Sequence, residues 1–177
     1  MTPRYRPLVG LAAASVVVTG IGVWIAYTLE LTLIGTTSTI AWTLVVGFVE
    51  EAFVRLIPLI LVFYAWSYWH GELLSKFEGL LATVVSGLTV AGLELVLKLE
   101  YLSRLEATAR FDSLVLPIVF VHLPFALLAG RFAYALGERI HGTDAVGLPS
   151  LSRRTVGLLV VGYFVLVFAH VGYNLVV

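Results

Sequence analysis

Glu50, Glu51 and Arg55 interrupt a stretch, Leu31–Trp69, that is otherwise apolar or weakly polar. On insertion scales a charge at the bilayer centre costs about 2.5–3.5 kcal/mol, so an ionisable side chain in such a segment marks a functional position and calls for a partner. Glu94, His122 and His170 lie in three later hydrophobic segments, and Asn174 follows His170 by one helical turn. Carboxylates, imidazoles, an amide and a guanidinium inside lipid are the groups of a hydrolytic site, and equally of an ion path.

Spacing suggests roles. Glu51 and Arg55, at i,i+4, share a helix face and can pair, which leaves Glu50 about 100° around the helix. A buried carboxylate is a suitable general base for activating water. His170 and Asn174, also at i,i+4, present an imidazole and an amide together, and both can donate to a developing oxyanion. His122 is placed to orient the water or to carry a proton to a leaving amine. Glu94 stands among Gly87, Ala91 and Gly92, small residues that permit close helix approach. Each group also has a plainer use. Glu51–Arg55 can be a purely structural ion pair, and His170–Asn174 can be interhelical glue. His122, between Pro117 and Pro124, can be satisfied by a backbone carbonyl, and Glu94 can sit near the interface. The common depth is what argues for a site. His122 lies about 8 residues, or ~12 Å, into its helix, and His170 lies a comparable distance from the far end of an antiparallel one.

The elements that must hold these groups follow from composition. The chain has 177 residues, 60% hydrophobic and 12% charged, with a mean hydropathy of +1.01. Those values indicate a polytopic membrane protein, all-α, in a single transmembrane domain over residues 1–177 with five to six helices. Formal net charge is zero, so the electrostatic footprint of nucleic-acid binding is absent. There is no cysteine, which excludes disulfides and thiolate chemistry. A first helix is expected over Leu8–Leu29, ended by Glu30. The block Leu31–Trp69 is too long for one upright span of ~20 residues. It reads either as a polar patch at Gly35–Thr39 followed by a helix near Ile40–Trp69 kinked at Pro58, or as two spans meeting near Glu50. Further helices are expected at Phe77–Leu97, Leu114–Leu136 and Val156–Val177. Lys98–Asp112 reads as a charged loop or interfacial helix, and Gly137–Thr155 as a loop.

With five spans and a cytoplasmic N-terminus, Arg4, Arg6, Lys76, Arg139, Arg153 and Arg154 lie inside, and Lys98, Arg104 and Arg110 outside. That asymmetry favours five spans over six. In both topologies Glu50, Glu94, His122, His170 and Asn174 fall toward one membrane face.

Glu50-Glu51-x-x-x-Arg55 resembles the EExxxR motif of the CPBP superfamily, the CAAX-protease and bacteriocin-processing membrane proteins, and His170-x-x-x-Asn174 resembles its HxxxN motif. Val90-x-x-x-Glu94 is similar to the FxxxE motif of the PrsW branch, with Val in place of Phe. His122-x-x-x-Ala126-x-x-x-Gly130 resembles that branch's third motif, a histidine followed by small residues at helical spacing. The resemblance covers about Val49–Asn174. It departs from PrsW in the spacing of the first motif, where position 54 is Val. It departs from the CAAX proteases in having Glu94 where they carry a histidine, so it reaches the superfamily and not a branch.

What the resemblance implies is a glutamate-type intramembrane endopeptidase in the cell membrane. It would act without metal or other cofactor on a membrane-associated peptide or single-span protein. Glu50 would activate water, assisted by His122 or Glu94. His170 and Asn174 would stabilise the oxyanion, and Glu51 and Arg55 would hold the catalytic helix. Glu and His are also zinc ligands, but an HExxH motif is missing. Two other classes stay open. One is a non-catalytic scaffold that binds transmembrane segments, as the distantly similar Aph subunit of γ-secretase suggests. The other is a proton-coupled carrier, although no internal repeat of the transporter kind is present.

Overall fold

Where water is absent, backbone donors and acceptors must be satisfied within the chain, and a helix does this locally. In the computed structural model, which describes residues 8–33, 39–104, 118–141 and 152–176, the protein is an all-α bundle without strands among those residues. The elements are α1 (Leu8–Leu33), α2 (Thr39–Glu50), a π-helical turn π1 (Glu51–Leu56), α3 (Ile57–His70), α4 (Lys76–Arg104), a second π-turn π2 (Ile118–His122), α5 (Leu123–His141) and α6 (Arg153–Val176). Four helices are long and apolar enough to cross a membrane: Leu8–Leu33, Lys76–Leu97, Phe120–Arg139 and Arg153–Tyr173. α2, π1 and α3 follow without a break and form a fifth rod from Thr39 to His70.

That rod is the axis of the bundle. It touches α1, α4, α5 and α6, which pack on one another in that order around it. The arrangement explains how Glu51 and Arg55 are accommodated. They stand mid-rod, 0% and 1% exposed, with protein rather than lipid on every side.

The faces are inverted relative to a water-soluble bundle. α1 turns Leu11, Ser15, Thr19, Gly22 and Ala26 inward and leaves Val9, Val17 and Trp24 outward. Between lipid-facing helices the hydrophobic effect gives little drive, so small residues and interhelical hydrogen bonds hold the contact. Thr19 Oγ1 lies 2.8 Å from Ser86 Oγ of α4. Tyr163 of α6 donates to the Phe48 carbonyl of α2 at 2.7 Å. α4 and α5 run antiparallel, Gly79 facing Tyr134, Gly87 facing Ala126 and Gly130 facing Thr83. Ser75 and Glu78 form a capping box at the start of α4, the Glu78 carboxylate accepting from the Ser75 N–H at 2.8 Å and the Ser75 hydroxyl accepting from the Glu78 N–H at 3.2 Å. Gly71, at φ +69°, ends α3 in a conformation that only glycine adopts readily.

Several sequence boundaries are corrected. α1 continues past Glu30 to Leu33, because burial of its inward stripe outweighs one charge. Lys98–Arg104 is helical and continues α4, as the helical alternative for Lys98–Asp112 had it, whereas Gly137–His141 extends α5 and α6 begins at Arg153, into the expected Gly137–Thr155 loop. The helix through Glu50 does not turn back there, contrary to the two-span alternative. Residues 34–38, 105–117 and 142–151 lie outside the described residues, with most of the Gly35–Thr39 patch and the start of the Leu114–Leu136 helix. Trp66 is 6% exposed and part of the core, whereas Tyr68 and Trp69 face outward.

A methyl group at Gly22 would overlap the Phe53 carbonyl and the Pro58 ring, whereas Gly20 has open space. Gly22→Val is therefore expected to destabilise the fold by about 1–3 kcal/mol through overpacking, with Gly20→Val near neutral. Thermal unfolding in detergent measures the difference.

Candidate functional site

Both π-turns fall on the residues that carry chemistry. π1 contains Glu51 and Arg55, and π2 ends at His122. Each stops two residues before a proline, Pro58 or Pro124. A proline has no N–H for the carbonyl four residues back, and its ring crowds that carbonyl. Here those carbonyls belong to Val54 and Phe120, inside the two π-turns. The turn widens in response, and the Ile57 N–H bonds the Ala52 carbonyl five residues back. Such bulges re-aim side chains and recur at functional sites.

Arg55 is the hub of the cluster. Its guanidinium pairs with Glu51. Nη2 lies 2.8 Å from His122 Nδ1 and Nη1 lies 3.3 Å from His170 Nδ1. Phe125 forms one wall, 5.2 Å from the guanidinium carbon and 5.9 Å from the His170 ring, centroid to centroid. A guanidinium can only donate. His122 Nδ1 must therefore accept, which puts the His122 proton on Nε2, where the imidazole pairs with Glu94. His170 stands between two carboxylates, Nδ1 at 2.7 Å from Glu51 Oε1 and Nε2 at 3.1 Å from Glu50 Oε2. Nδ1 of His170 thus faces both the Glu51 carboxylate and the Arg55 donor, with the shorter contact to Glu51, and Nε2 is the nitrogen directed at Glu50.

Glu50, Glu51, Arg55, Glu94, His122 and His170 thus meet in one connected network, drawn from four separate segments. Asn174 lies on α6 one turn beyond His170, and its side chain is outside the described set. Two expectations change. The 100° separation of Glu50 and Glu51 does not part them, because His170 reaches both with its two nitrogens. His170 directs both nitrogens at carboxylates, so the oxyanion-donor geometry read from its spacing is not the one it adopts. Arg55 is also more than the partner of Glu51, because it fixes His122 as well.

Among the described residues the network opens at Glu50 and Glu94. The Glu50 and Glu94 side chains are 29% and 31% exposed, against 0% for Glu51. Both line a cavity of about 70 Å³ together with Arg55, His122, Tyr27 and Glu30. At roughly 10–15 Å³ per water, that volume admits a few water molecules. Glu30 was read from sequence only as a helix terminator. It stands at the cavity wall with Oε1 buried and lacking a hydrogen-bond partner among the described residues. A signal was available, since Glu30 continues the inward stripe one turn beyond Ala26. Among the described residues no group of three His, Asp or Glu side chains is arranged to hold a metal ion. Comparison with protein-family models, characterised proteins and solved structures returns no match to this chain.

Proposed function

We propose that this protein is a multi-pass protein of the cell membrane, with the Thr39–His70 rod as a fifth crossing, and that it hydrolyses a peptide bond of a membrane-associated peptide or single-span protein. The observation that carries this reading is the Glu50–His170–Glu51 relay beside a polar cavity of water size. Glu50 is the half-open member of the relay and takes the proton as a cavity water attacks the scissile carbonyl carbon. His170, braced by Glu51, holds or shares that proton and returns it to the leaving nitrogen as the C–N bond breaks. The products are a carboxylic acid and an amine. His122, held by Arg55 and paired through Nε2 with Glu94, lines the cavity and with Glu94 orients the attacking water. Asn174 keeps the oxyanion role that the resemblance implies.

Several features favour hydrolysis over the other classes. Glu94 and Glu50, the two accessible ends of the network, open onto the same cavity. A proton path through a carrier instead needs ends on opposite faces of the membrane. A scaffold that binds transmembrane segments makes no use of a carboxylate and an imidazole aimed at a water-sized void.

The test is incubation of purified protein, in detergent and in liposomes, with a panel of single-span and prenylated peptides, with and without chelator, read by mass spectrometry. Chelator-insensitive cleavage supports the reading. A stable partner captured without cleavage, unaffected by Glu50→Gln, supports the scaffold. Flux in proteoliposomes that depends on Glu50 supports the carrier.

Glu30 adds a prediction of its own. Glu30→Gln is expected to lower kcat roughly tenfold with KM little changed, because it removes an acid that can exchange a proton with the cavity water without altering contacts to the bound peptide. Steady-state kinetics on the best peptide separates the two effects.

A further inference from the structure

A second concavity, sharing no lining residue with the first, lies between α4 and α5. It has a volume of about 430 Å³. Its lining changes character along its length. Lys76, Tyr134 and Glu138 contribute polar groups near the α4 N-terminus, Leu80 lies between Lys76 and Arg131, and Leu127 continues the lining as apolar surface deeper than Arg131. The α4–α5 register places Arg131 level with about residue 82, some six residues or roughly 9 Å deeper than Lys76. Lys76, Arg131 and Glu138 are all exposed, and none has a hydrogen-bond or ion-pair partner among the described residues. A guanidinium at that depth of a membrane helix snorkels toward the interface, where lipid phosphates are the anions within its reach.

We infer that this groove binds a membrane phospholipid, with its phosphodiester held between Arg131 and Lys76 and one acyl chain lying along Leu80 and Leu127. Two cations complement the phosphate, the more so because a guanidinium matches its oxygens in a fork. The carboxylate of Glu138 at the outer end complements an ammonium, so the preferred head group carries an ethanolamine. The apolar continuation of the groove suits a lipid and has no use for a free phosphate. This site is independent of the proposed hydrolysis.

The protein is purified in detergent as wild type and as Arg131→Gln, Arg131→Lys, Lys76→Gln and Glu138→Gln. Each is incubated with phosphatidylethanolamine, phosphatidylglycerol or phosphatidylcholine of identical chains, and separately with glycerophosphoethanolamine. Bound lipid is read by native mass spectrometry. Wild type is expected to retain one phosphatidylethanolamine in preference to the other two. Arg131→Gln and Lys76→Gln are expected to lower retention of all three roughly tenfold or more, the effect of losing a hydrogen bond to a charged group. Arg131→Lys recovers part of it, which separates loss of charge from loss of fold. Glu138→Gln removes the preference for ethanolamine over glycerol and leaves phosphate retention intact. Equal retention by wild type and Arg131→Gln overturns the site. Displacement of lipid by glycerophosphoethanolamine at equal concentration overturns the role of the acyl groove, and with it the assignment to a membrane lipid.

Discussion

Glu50→Gln is expected to reduce peptide cleavage by about 10²–10⁴-fold, the range that a positioned general base contributes. Glutamine keeps the shape and can still face His170 Nε2, which lies 3.1 Å from Glu50 Oε2 in the native protein, but it cannot take a proton from water. The side chain is only partly buried and outside the fully enclosed Glu51–Arg55 pair, so the fold is expected to survive. Circular dichroism and thermal unfolding check that survival, and mass spectrometry of the peptide panel reads the loss. Cleavage by Glu50→Gln at the wild-type rate would remove Glu50 from the mechanism. If wild type cleaves and the variant does not, the relay is placed at the chemical step.

Arg55→Met is expected to destabilise the fold by about 3–5 kcal/mol, the usual result of removing one partner from a buried ion pair. Methionine fills much of the volume, so the loss comes chiefly from charge. Glu51, 0% exposed, would be left without its cation, and His122 Nδ1 would lose its donor. The effect is separable from packing. Glu51→Gln combined with Arg55→Met removes both charges, while the amide oxygen at 51 still accepts from His170. The double variant is therefore expected to be more stable than Arg55→Met alone, a strongly non-additive cycle. Thermal or denaturant unfolding of the four proteins measures it. Additive losses would mean that Arg55 acts through its aliphatic stem and its contact with Phe125 rather than through its charge.

How much of this site was legible beforehand depends on the kind of information. Glu51 and Arg55 are one helical turn apart, and a pair at i,i+4 is a local property that spacing reports directly. The membrane character of α1, α4, α5 and α6 rests on apolar runs, which are equally local. The shared depth of His122 and His170 could be counted along their helices. The sequence by itself therefore determined the helical class, the apolar spans and the list of groups available for chemistry.

Tertiary structure decided the rest. Helical periodicity put Glu50 and Glu51 on different faces, but π1 widens the backbone at that point, and His170, packed from α6, is broad enough to meet one carboxylate with each nitrogen. The prolines that accompany both π-turns were visible at Pro58 and Pro124 and were read as a kink or a flank, because a missing N–H reveals a disturbed turn but not the form it takes. Glu30 looked like the end of a helix, since its neighbours in the cavity come from segments far away in sequence. The choice of Thr39–His70 as the axis was equally hidden: all the segments are apolar, and only the mutual packing of small and polar stripes settles which one the others pack against. In a membrane, hydrophobicity distinguishes chain that stays in from chain that stays out. It does not order the helices, because lipid and protein interiors are alike apolar. That order comes from close contacts such as Gly22 on Phe53 and Gly130 on Thr83, and from the charges that the central rod must keep away from lipid.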